Sequence, residues 1–286
     1  MPRLLAVGHV TWDRFKGREV LGGSAAYAAL TARRLGWEAA VLTSAGPDFD
    51  APRDLPDVAC FVRRSSATTR FVNTYHPDGS RAQVLAARAG ALDLGLVPDE
   101  WRCPDVLLLG PVAGELGGRV AQAFQAECVG ALAQGWLREV DGAGCVSPRA
   151  WRDPQGDLAG VHAVFFSEHD LPEPGVHARE LLGHVPIVVL TRGWEGASVH
   201  TRDAIQQVAA LPREEVDPTG AGDVFASAFL LRYHETADLM EAGAFAACAA
   251  SCVVEQIGAA GLGDRDELLW RMDLRRRLIE EGDWDE

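Results

Sequence analysis

A glycine-rich turn directly before a helical run constrains this chain more than any other feature. Residues 217–223 read DPTGAGD, and the pattern that follows predicts a helix from Val224 to His234. Small residues allow successive backbone N–H groups to converge at a helix start, where the helix dipole also favours negative charge. Asp223 would repel a bound phosphate, but a carboxylate beside a transferring phosphoryl group can accept the proton of an attacking hydroxyl. The segment predicts a phosphotransfer centre, and the alternative is an ordinary capped helix with Asp223 favourable in its first turn.

Composition and charge exclude several classes of function. The chain has 286 residues, enough for one large domain, and its apolar runs stay well short of the ~20 residues that cross a bilayer. A formal net charge of −14 argues against non-specific binding to nucleic acid or anionic membranes. The apolar stretch at the amino terminus is too short for a signal peptide, and the six cysteines form no CxxC pair. We therefore expect a cytoplasmic protein with reduced cysteines, without nucleic-acid or membrane partners.

The basic residues narrow the type of phosphotransfer. Lys16 is the single lysine among 27 basic residues. A Walker-type loop needs Gly-Lys-Ser/Thr, and a protein kinase needs a strand lysine on the nucleotide phosphates, so both classes are excluded. A dinucleotide oxidoreductase is disfavoured because no G-x-G-x-x-G follows the first strand. Arginine, metal or backbone N–H groups must then supply the positive charge.

The order of elements predicts an α/β fold. Buried strands at Leu4–Gly8 and Ala39–Thr43 flank a helix at Ser24–Leu35, with Ser24 a candidate N-cap, which makes a βαβ unit and a parallel sheet. Further strands are predicted at 106–110, 164–167 and 187–191, and further helices at 118–128, 239–256 and 265–280. A doubly wound, mostly parallel sheet follows, in a single domain spanning 1–286.

One section breaks this alternation. Arg70–Tyr75 and Arg81–Ala87 flank the turn-forming residues 76–80 and predict a β-hairpin. Two strands outside a parallel sheet suit a small β lid over a site, from about 62 to 90 with a further piece at 14–21. An edge hairpin of the main sheet is the alternative.

The 217–223 turn matches the C-terminal signature of the PfkB (ribokinase-like) carbohydrate kinase family, which this chain resembles from Leu4 to about Gly261. The resemblance implies a ribokinase-like fold and an ATP-dependent, magnesium-assisted kinase that acts on a small sugar or polyol. It implies Asp223 as the base and the backbone of Gly220, Ala221 and Gly222 as the anion hole. A homodimer is a possible assembly.

The resemblance also implies the residues that bind the acceptor. Asp13 is expected just past the first strand, where it would hold sugar hydroxyls, and Gly22 and Gly23 would let the backbone approach the sugar. Tyr27 stands where the family has asparagine, so it could donate its hydroxyl, stack on a ring or pack in the core. Arg138 is a candidate for the cation on the transferring phosphate, with a solvated helix-surface arginine as the alternative.

On the donor side, the resemblance implies two groups of residues. Ser167 and Asp170 replace the Asn and the Glu of a family motif that organises Mg²⁺ through water, so Asp170 is the expected metal ligand and Glu168 a further candidate. A turn beside the nucleotide is implied at 191–196, and a weaker match at 258–261 would close the adenine pocket. The nucleotide-binding candidates are Ser167, Thr191, Gly193, Gly196 and Thr219.

The acceptor remains open between several alternatives. The short spacer between Asp13 and Gly22 resembles the inositol-kinase-like branch of the family. A nucleoside would need an aromatic platform, for which Tyr27 or Trp12 could serve. A catalytically silent nucleotide- or sugar-binding protein is a further alternative, because Tyr27 and Ser167 replace polar residues that are usual in the family.

Overall fold

The computed structural model describes residues 1–15, 17–75 and 81–281. Within these residues the strands form a nine-stranded, a four-stranded and a two-stranded sheet. In chain order the strands are β1 (Arg3–Val7), β2 (Thr11–Phe15), β3 (Arg18–Gly22), β4 (Glu38–Ala45), β5 (Ala59–Arg64), β6 (Thr69–Tyr75), β7 (Arg81–Ala87), β8 (Val106–Leu109), β9 (Cys128–Leu132), β10 (Arg138–Val140), β11 (Val146–Pro148), β12 (Ala163–Ser167), β13 (Ile187–Thr191), β14 (Ala197–His200) and β15 (Ile205–Val208).

Helices cover both faces of the large sheet. In the described residues the α-helices are α1 (Ser24–Arg34), α2 (Ala51–Asp54), α3 (Pro154–Asp157), α4 (Pro174–Leu181), α5 (Ala221–Thr236), α6 (Leu239–Val253) and α7 (Arg265–Glu281). None of them is long and apolar enough to cross a membrane.

The central sheet has the order β15-β14-β13-β12-β9-β8-β1-β4-β5. Neighbours from β13 through β5 pair in parallel, whereas β14 and β15 add an antiparallel edge. Successive side chains of a strand point to opposite faces, so Leu4 and Ala6 pack in one hydrophobic cluster and Leu5 and Val7 in the other. Burial on both faces explains the continuous apolar strand sequences and confirms the predicted doubly wound α/β class.

The four-stranded sheet, which we call the lid sheet, has the order β3-β2-β6-β7. The strands of the predicted hairpin are confirmed, since β6 and β7 pair antiparallel. The predicted turn at 76–80 lies outside the described residues, as does Lys16. The lid sheet takes its second hairpin, β2–β3, from residues 11–22, and β2 pairs with β6 in parallel. Because β5 belongs to the central sheet, the later part of the lid sheet begins at Thr69 rather than at residue 62.

The helix predicted at 118–128 is wrong. The chain makes only a 3₁₀ turn at Val120–Ala123 and then enters β9. Gly118 and Arg119 both have positive φ angles, of 45° and 60°, which an α-helix cannot continue. Cys128 instead completes the parallel ladder between β8 and β9, a long-range pairing that local periodicity does not report.

The burial of the cysteines predicts three classes of thiol. Burial raises the pKa of Cys60 and Cys248 to about 11 and that of Cys128 and Cys252 to about 12, whereas Cys103 and Cys145 are exposed. We expect a thiol reagent at pH 8 to modify Cys103 and Cys145 rapidly, the half-buried Cys60 slowly, and the three buried thiols only after unfolding. Thiolate titration with a chromogenic disulfide checks this.

The same pKa shifts predict alkaline instability. The pKa of these thiols is higher in the folded protein than the value of about 8.5 in the unfolded chain. Their contribution to the free energy of unfolding is therefore complete below pH ~8.5 and is lost as the pH rises through 11 to 12. The midpoint of urea unfolding should therefore fall above pH 9. The control is the double variant Cys103→Ser/Cys145→Ser. It should lack the rapid phase of thiol labelling but still lose stability at alkaline pH. Rapid labelling in that variant would contradict the assignment of Cys103 and Cys145 as the reactive thiols.

Candidate active site

The DPTGAGD turn is held in place by a buried carboxylate. Asp217 Oδ1 accepts a hydrogen bond from the N–H of Thr219 at 3.0 Å, and Oδ2 accepts one from the N–H of Gly258 at 3.1 Å. Gly220 follows with φ of 85°, a left-handed conformation that glycine adopts without strain, and is the N-cap of α5. Asp217 thus fixes the start of α5 and fastens the Gly258–Gly261 segment beside it.

The first N–H groups of α5 point out of the helix start. The N–H of Val224 bonds back along the helix to the carbonyl of Gly220 at 2.8 Å. An α-helix has no preceding turn to accept from its first N–H groups, so these groups are directed outward at its start. The N–H of Ala221 donates to the carbonyl of Pro218 at 3.2 Å, which closes the turn. One of the three predicted anion-hole donors therefore already has a long turn hydrogen bond.

Asp223 lies in this first turn of α5. It is half-buried, and its carbonyl accepts a hydrogen bond from the hydroxyl of Ser227 at 2.6 Å. The following residues, 224–231, are all buried. A carboxylate at this position is stabilised by the positive end of the helix dipole. The predicted base therefore stands on a helix that the core holds rigidly.

The starts of α1 and α5 meet at the carboxyl edge of the central sheet. A methyl group built on Gly110, which follows β8, would lie 2.5 Å from Cβ of Ser24, the first residue of α1. One built on Gly220 would lie 2.4 Å from Cζ of Tyr27. The two helix N-termini thus converge on one region, where their dipoles add.

Tyr27 is buried between these helices, with 2% of its surface exposed. Its ring covers the Cα of Gly220. Among the three roles left open for Tyr27, this burial favours core packing, and binding of substrate by Tyr27 stays a prediction. Gly23, not Ser24, is the N-cap of α1, and it adopts φ of 90° against the carbonyl of His9.

The predicted acceptor residues lie together at the junction between the lid sheet and α1. The sequence predicts Asp13 in a loop just past β1. It lies instead inside β2, because the chain enters the lid sheet at Thr11. It is buried, and Oδ1 accepts a hydrogen bond from the Thr11 hydroxyl at 2.9 Å. A methyl group on Gly22 would lie 2.4 Å from Oδ2 of Asp13, so only glycine leaves room for this carboxylate.

A buried histidine joins the lid sheet to the central sheet, and sequence reasoning missed it. His9 is fully buried; Nε2 donates to the carbonyl of Gly90 at 2.9 Å, and Nδ1 accepts from the Thr69 hydroxyl at 2.8 Å. The carbonyl can only accept, which places the proton of the neutral ring on Nε2. Nothing local in the sequence distinguishes this histidine from a surface residue.

Glu115 completes the joint. Its carboxylate accepts hydrogen bonds from the backbone N–H groups of His9 at 2.9 Å, Val112 at 3.1 Å and Ala113 at 2.8 Å. These groups follow β1 and β8, two adjacent strands of the central sheet. A single carboxylate thus organises the loops beneath the lid sheet.

Arg138 contacts the lid sheet. It begins β10 and is half-buried, rather than lying on a helix surface. Its Nη1 donates to Oε1 of Gln83 at 3.0 Å, and Nε2 of Gln83 donates to Oδ1 of Asn73 at 2.8 Å. These hydrogen bonds connect the Arg138 guanidinium to the two lid-sheet strands β6 and β7.

The donor-side candidates follow β12 and β13. Ser167 and Thr191 are paired across these strands, and the N–H of Glu168 donates to the carbonyl of Thr191 at 3.0 Å. Oδ2 of Asp170 accepts from the N–H of Ser167 at 2.8 Å, so this carboxylate closes its own turn. Gly193 and Gly196 have positive φ angles in the turn to β14.

Asp170 and Glu168 fit a magnesium ion held through water. Mg²⁺ usually keeps several waters and takes one or two carboxylates together with substrate phosphates. The two side chains are partly exposed, and one oxygen of Asp170 is already engaged in the turn. Within the part of the chain that the structure describes, neither belongs to a group of three close ligands. Their role as Mg²⁺ ligands stays a prediction.

Comparisons with known proteins agree with this geometry. The pfkB family carbohydrate kinase pattern matches residues 136–264. A nucleoside kinase of Methanothermobacter thermautotrophicus is 28% identical over 302 aligned positions, which cover 89% of this chain and 90% of that protein. These matches confirm the resemblance to the PfkB family. The chain is accordingly a phosphotransferase with an alcohol group as acceptor.

Two solved structures show the same ribokinase fold. A pyrophosphate-dependent kinase of the ribokinase family, complexed with a pyrophosphate analogue and myo-inositol, gives a TM-score of 0.76 at 19% identity, covering 93% of this chain and 99% of that one. A fructokinase from Vibrio cholerae, with fructose, ADP and calcium bound, gives 0.71 at 20% identity, covering 94% and 98%. The ribokinase-like fold with a small β lid is thereby confirmed.

The structure of the turn before α5 predicts that alanine destabilises the fold at Gly220 much more than at Gly222. Gly220→Ala would force alanine into a left-handed conformation and into the Tyr27 ring, and should destabilise the fold by about 2 to 4 kcal/mol. Gly222→Ala is the matched control. Among the described residues, no atom outside the chain neighbours and the backbone of the helix itself lies within 4 Å of the added methyl group, so the change in stability should stay within about 1 kcal/mol. Urea unfolding of both variants measures this, and equal midpoints would contradict the packing.

Proposed function

We propose that this PfkB kinase transfers the γ-phosphoryl group of ATP to a hydroxyl of a small sugar or polyol. The observation that carries the proposal is the start of α5, which sets Asp223 beside outward-pointing N–H groups at the carboxyl edge of the sheet. In the transfer, the acceptor oxygen bonds to the γ-phosphorus, the bond from that phosphorus to the β,γ-bridging oxygen breaks, and ADP leaves. The hydroxyl proton passes to Asp223.

The other residues bind and orient the reactants. The backbone N–H groups at Gly220–Gly222 would hold the transferring phosphoryl oxygens, and Arg138 would add a fixed cation from the lid side. Ser167, Thr191, Gly193, Gly196 and Thr219 would line the nucleotide site. Asp170 and Glu168 would hold Mg²⁺ through water; when bound, this ion supplies neutralisation of the phosphate charge.

A polar face of the lid sheet supports a polyol, with a lean to an inositol-like acceptor. Asp13 pairs with Phe71, and Asn73, two residues further on, pairs with Gln83. Alternate residues of a strand share a face, so Asp13, Asn73 and Gln83 lie on the same face of the lid sheet. Carboxylate and amide groups can bind several hydroxyls at once, as a ring bearing hydroxyls at every carbon requires.

A nucleoside is the second candidate acceptor. It is favoured by the likeness, over most of both chains, to the nucleoside kinase of Methanothermobacter thermautotrophicus. The two aromatic platforms expected for it are poorly placed: Tyr27 is buried, and Trp12 lies on the opposite face of the lid sheet from Asp13. Phe71 shares the Asp13 face, but it is buried as well, with 4% of its surface exposed.

Asp223→Asn tests the base. We expect turnover to fall by about 10²- to 10⁴-fold while the protein stays folded and still binds nucleotide. The assay measures product formation with Mg·ATP across inositols, pentoses, hexoses and nucleosides, with pyrophosphate as a second donor. Asp99→Asn, which changes an exposed acid before β8 in the same way, is the control and should be fully active.

The outcomes separate the alternatives. Stimulation by one acceptor class, absent in Asp223→Asn, names the acceptor and supports the base. Full activity of Asp223→Asn would refute the assignment of the base. Nucleotide binding with no acceptor turned over favours the silent binding protein, and turnover with pyrophosphate alone would overturn ATP as the donor.

Gln83→Met tests the polar face of the lid sheet. Methionine keeps the volume of glutamine but removes both of its hydrogen bonds, to Arg138 and Asn73. We expect KM for the acceptor to rise about 3- to 10-fold, the equivalent of one or two neutral hydrogen bonds. KM for ATP should stay constant, and an equal rise in both constants would count against a role at the acceptor.

A further inference from the structure

A second cluster of ionisable side chains lies at the opposite edge of the central sheet. Asp105 directly precedes β8, and Glu127 directly precedes β9. Because these neighbouring strands are parallel, their amino ends lie side by side. His234 stands near the end of α5, the helix that starts at the active-site edge. One ligand atom from each of the three residues lies within 4.8 Å of the others.

The surrounding structure holds the side chains of Asp105 and His234 close to these positions, whereas the side chain of Glu127 is 72% exposed. Nε2 of His234 lies 2.9 Å from Oε2 of Glu127. The imidazole also makes an edge contact with the buried indole of Trp37, with ring centroids 5.4 Å apart. Oδ2 of Asp105 accepts a hydrogen bond from the N–H of Arg3 at 2.7 Å. Few rotamers need to be fixed when a ligand binds, which lowers the entropic cost of binding.

Solvent reaches the cluster through a groove of about 810 Å³, lined in part by Glu127 and His234. Its volume leaves room for water beside these residues. Arg3, whose backbone N–H bonds to Asp105, directs its guanidinium elsewhere, to the carbonyls of Glu100 and Cys103. The cluster is therefore accessible on one side and held by protein on the other.

We propose that Asp105, Glu127 and His234 bind a divalent transition metal ion, with Zn²⁺ as the best fit. Imidazole nitrogen and carboxylate oxygen are both ligand types that Zn²⁺ binds, and three protein ligands leave the fourth position to water. Bonds of about 2.0 Å in a tetrahedron put ligand atoms about 3.3 Å apart, so small rotamer changes convert the present spacing into a coordination shell. Two carboxylates balance the charge of the ion. Imidazole disfavours Mg²⁺, which takes oxygen ligands.

The site would be separate from the phosphotransfer centre and would act on the same helix. Coordination by His234 would tie the end of α5 to the amino ends of β8 and β9, while the start of α5 carries Asp223. Bound metal should therefore stabilise the fold without taking part in phosphotransfer.

Isothermal titration of the metal-stripped full-length protein with ZnCl₂ tests the inference. We expect the wild type to bind one zinc ion per chain. In both His234→Gln and Glu127→Gln, the affinity for zinc should be at least about 100-fold weaker. Glu127 is 72% exposed at its side chain, so the second variant should fold normally. The control is His177→Gln, which removes a histidine from an exposed two-residue pair, His177–Glu180, at 3.0 Å and should bind zinc as the wild type does.

Thermal unfolding provides a second measurement that is independent of kinase activity. Zinc should raise the Tm of the wild type and of His177→Gln but not of the two cluster variants. Absence of stoichiometric binding, or binding unchanged in both cluster variants, would overturn the proposal. Loss of the site in His169→Gln alone would place the metal beside Glu168 and also overturn it. Because no step requires turnover, failure here is distinguishable from failure of the proposed kinase activity.

Discussion

The close approach of α5 to the central sheet is the contact on which the rest of the site depends. A methyl group on Gly130 of β9 would lie 2.2 Å from Cδ1 of Leu230, so the helix can lie at this depth only because this strand position has no side chain. Residues 224–231 are all buried, and each large apolar side chain among them contributes about 1.5 to 3 kcal/mol. With its axis fixed in this way, α5 has no freedom to move its first turn. The position of Asp223 and of the N–H groups beside it is thus a consequence of core packing several turns away.

The residues proposed to bind the acceptor depend on a different kind of contact, because they belong to the lid sheet. Asp13 and Gly22 lie in β2 and β3, and the path from the central sheet into β2 passes through His9. This joint is polar and buried: the His9 ring bonds to Gly90 and Thr69, and Glu115 bonds the backbone around it. Hydrogen bonds are directional, so these buried polar contacts fix one orientation of the lid sheet relative to the central sheet. Apolar contacts at the same place would tolerate several orientations. The distance between Asp223 and the proposed acceptor residues is therefore set in part by the side chains of His9 and Glu115, which belong to neither group.

Sequence reasoning reached the parts of this structure that local patterns encode. The strands around Leu4–Val7 and Ile187–Thr191 are continuous apolar runs, and the 217–223 turn carries its chemistry in consecutive residues. It failed where distant segments decide the outcome. The 118–128 segment has helical spacing but makes only a 3₁₀ turn before Cys128 begins β9 beside β8. Asp13 looks like a loop residue until its partner strand β6, more than fifty residues away, is known. Glu115 and the Arg138–Gln83–Asn73 row were inaccessible for the same reason, since side-chain hydrogen bonds across such separations leave no periodic signal.

An anion site in a chain with a net charge of −14 requires that short-range charge outweigh the rest of the molecule. At physiological ionic strength the Debye length is about 8 Å, so most surface carboxylates are screened from the site. Two helix starts converge there, and each carries the equivalent of about half a positive charge. Together they offset the single charge of an ionised Asp223, which leaves the site near neutrality and able to accept a phosphate. In the proposed reaction Asp223 becomes neutral when it takes the proton, so the field of the two helices and Arg138 then acts on the transferring phosphoryl group alone. A base at this position thus strengthens the anion site during the transfer, although it weakens the site before the transfer.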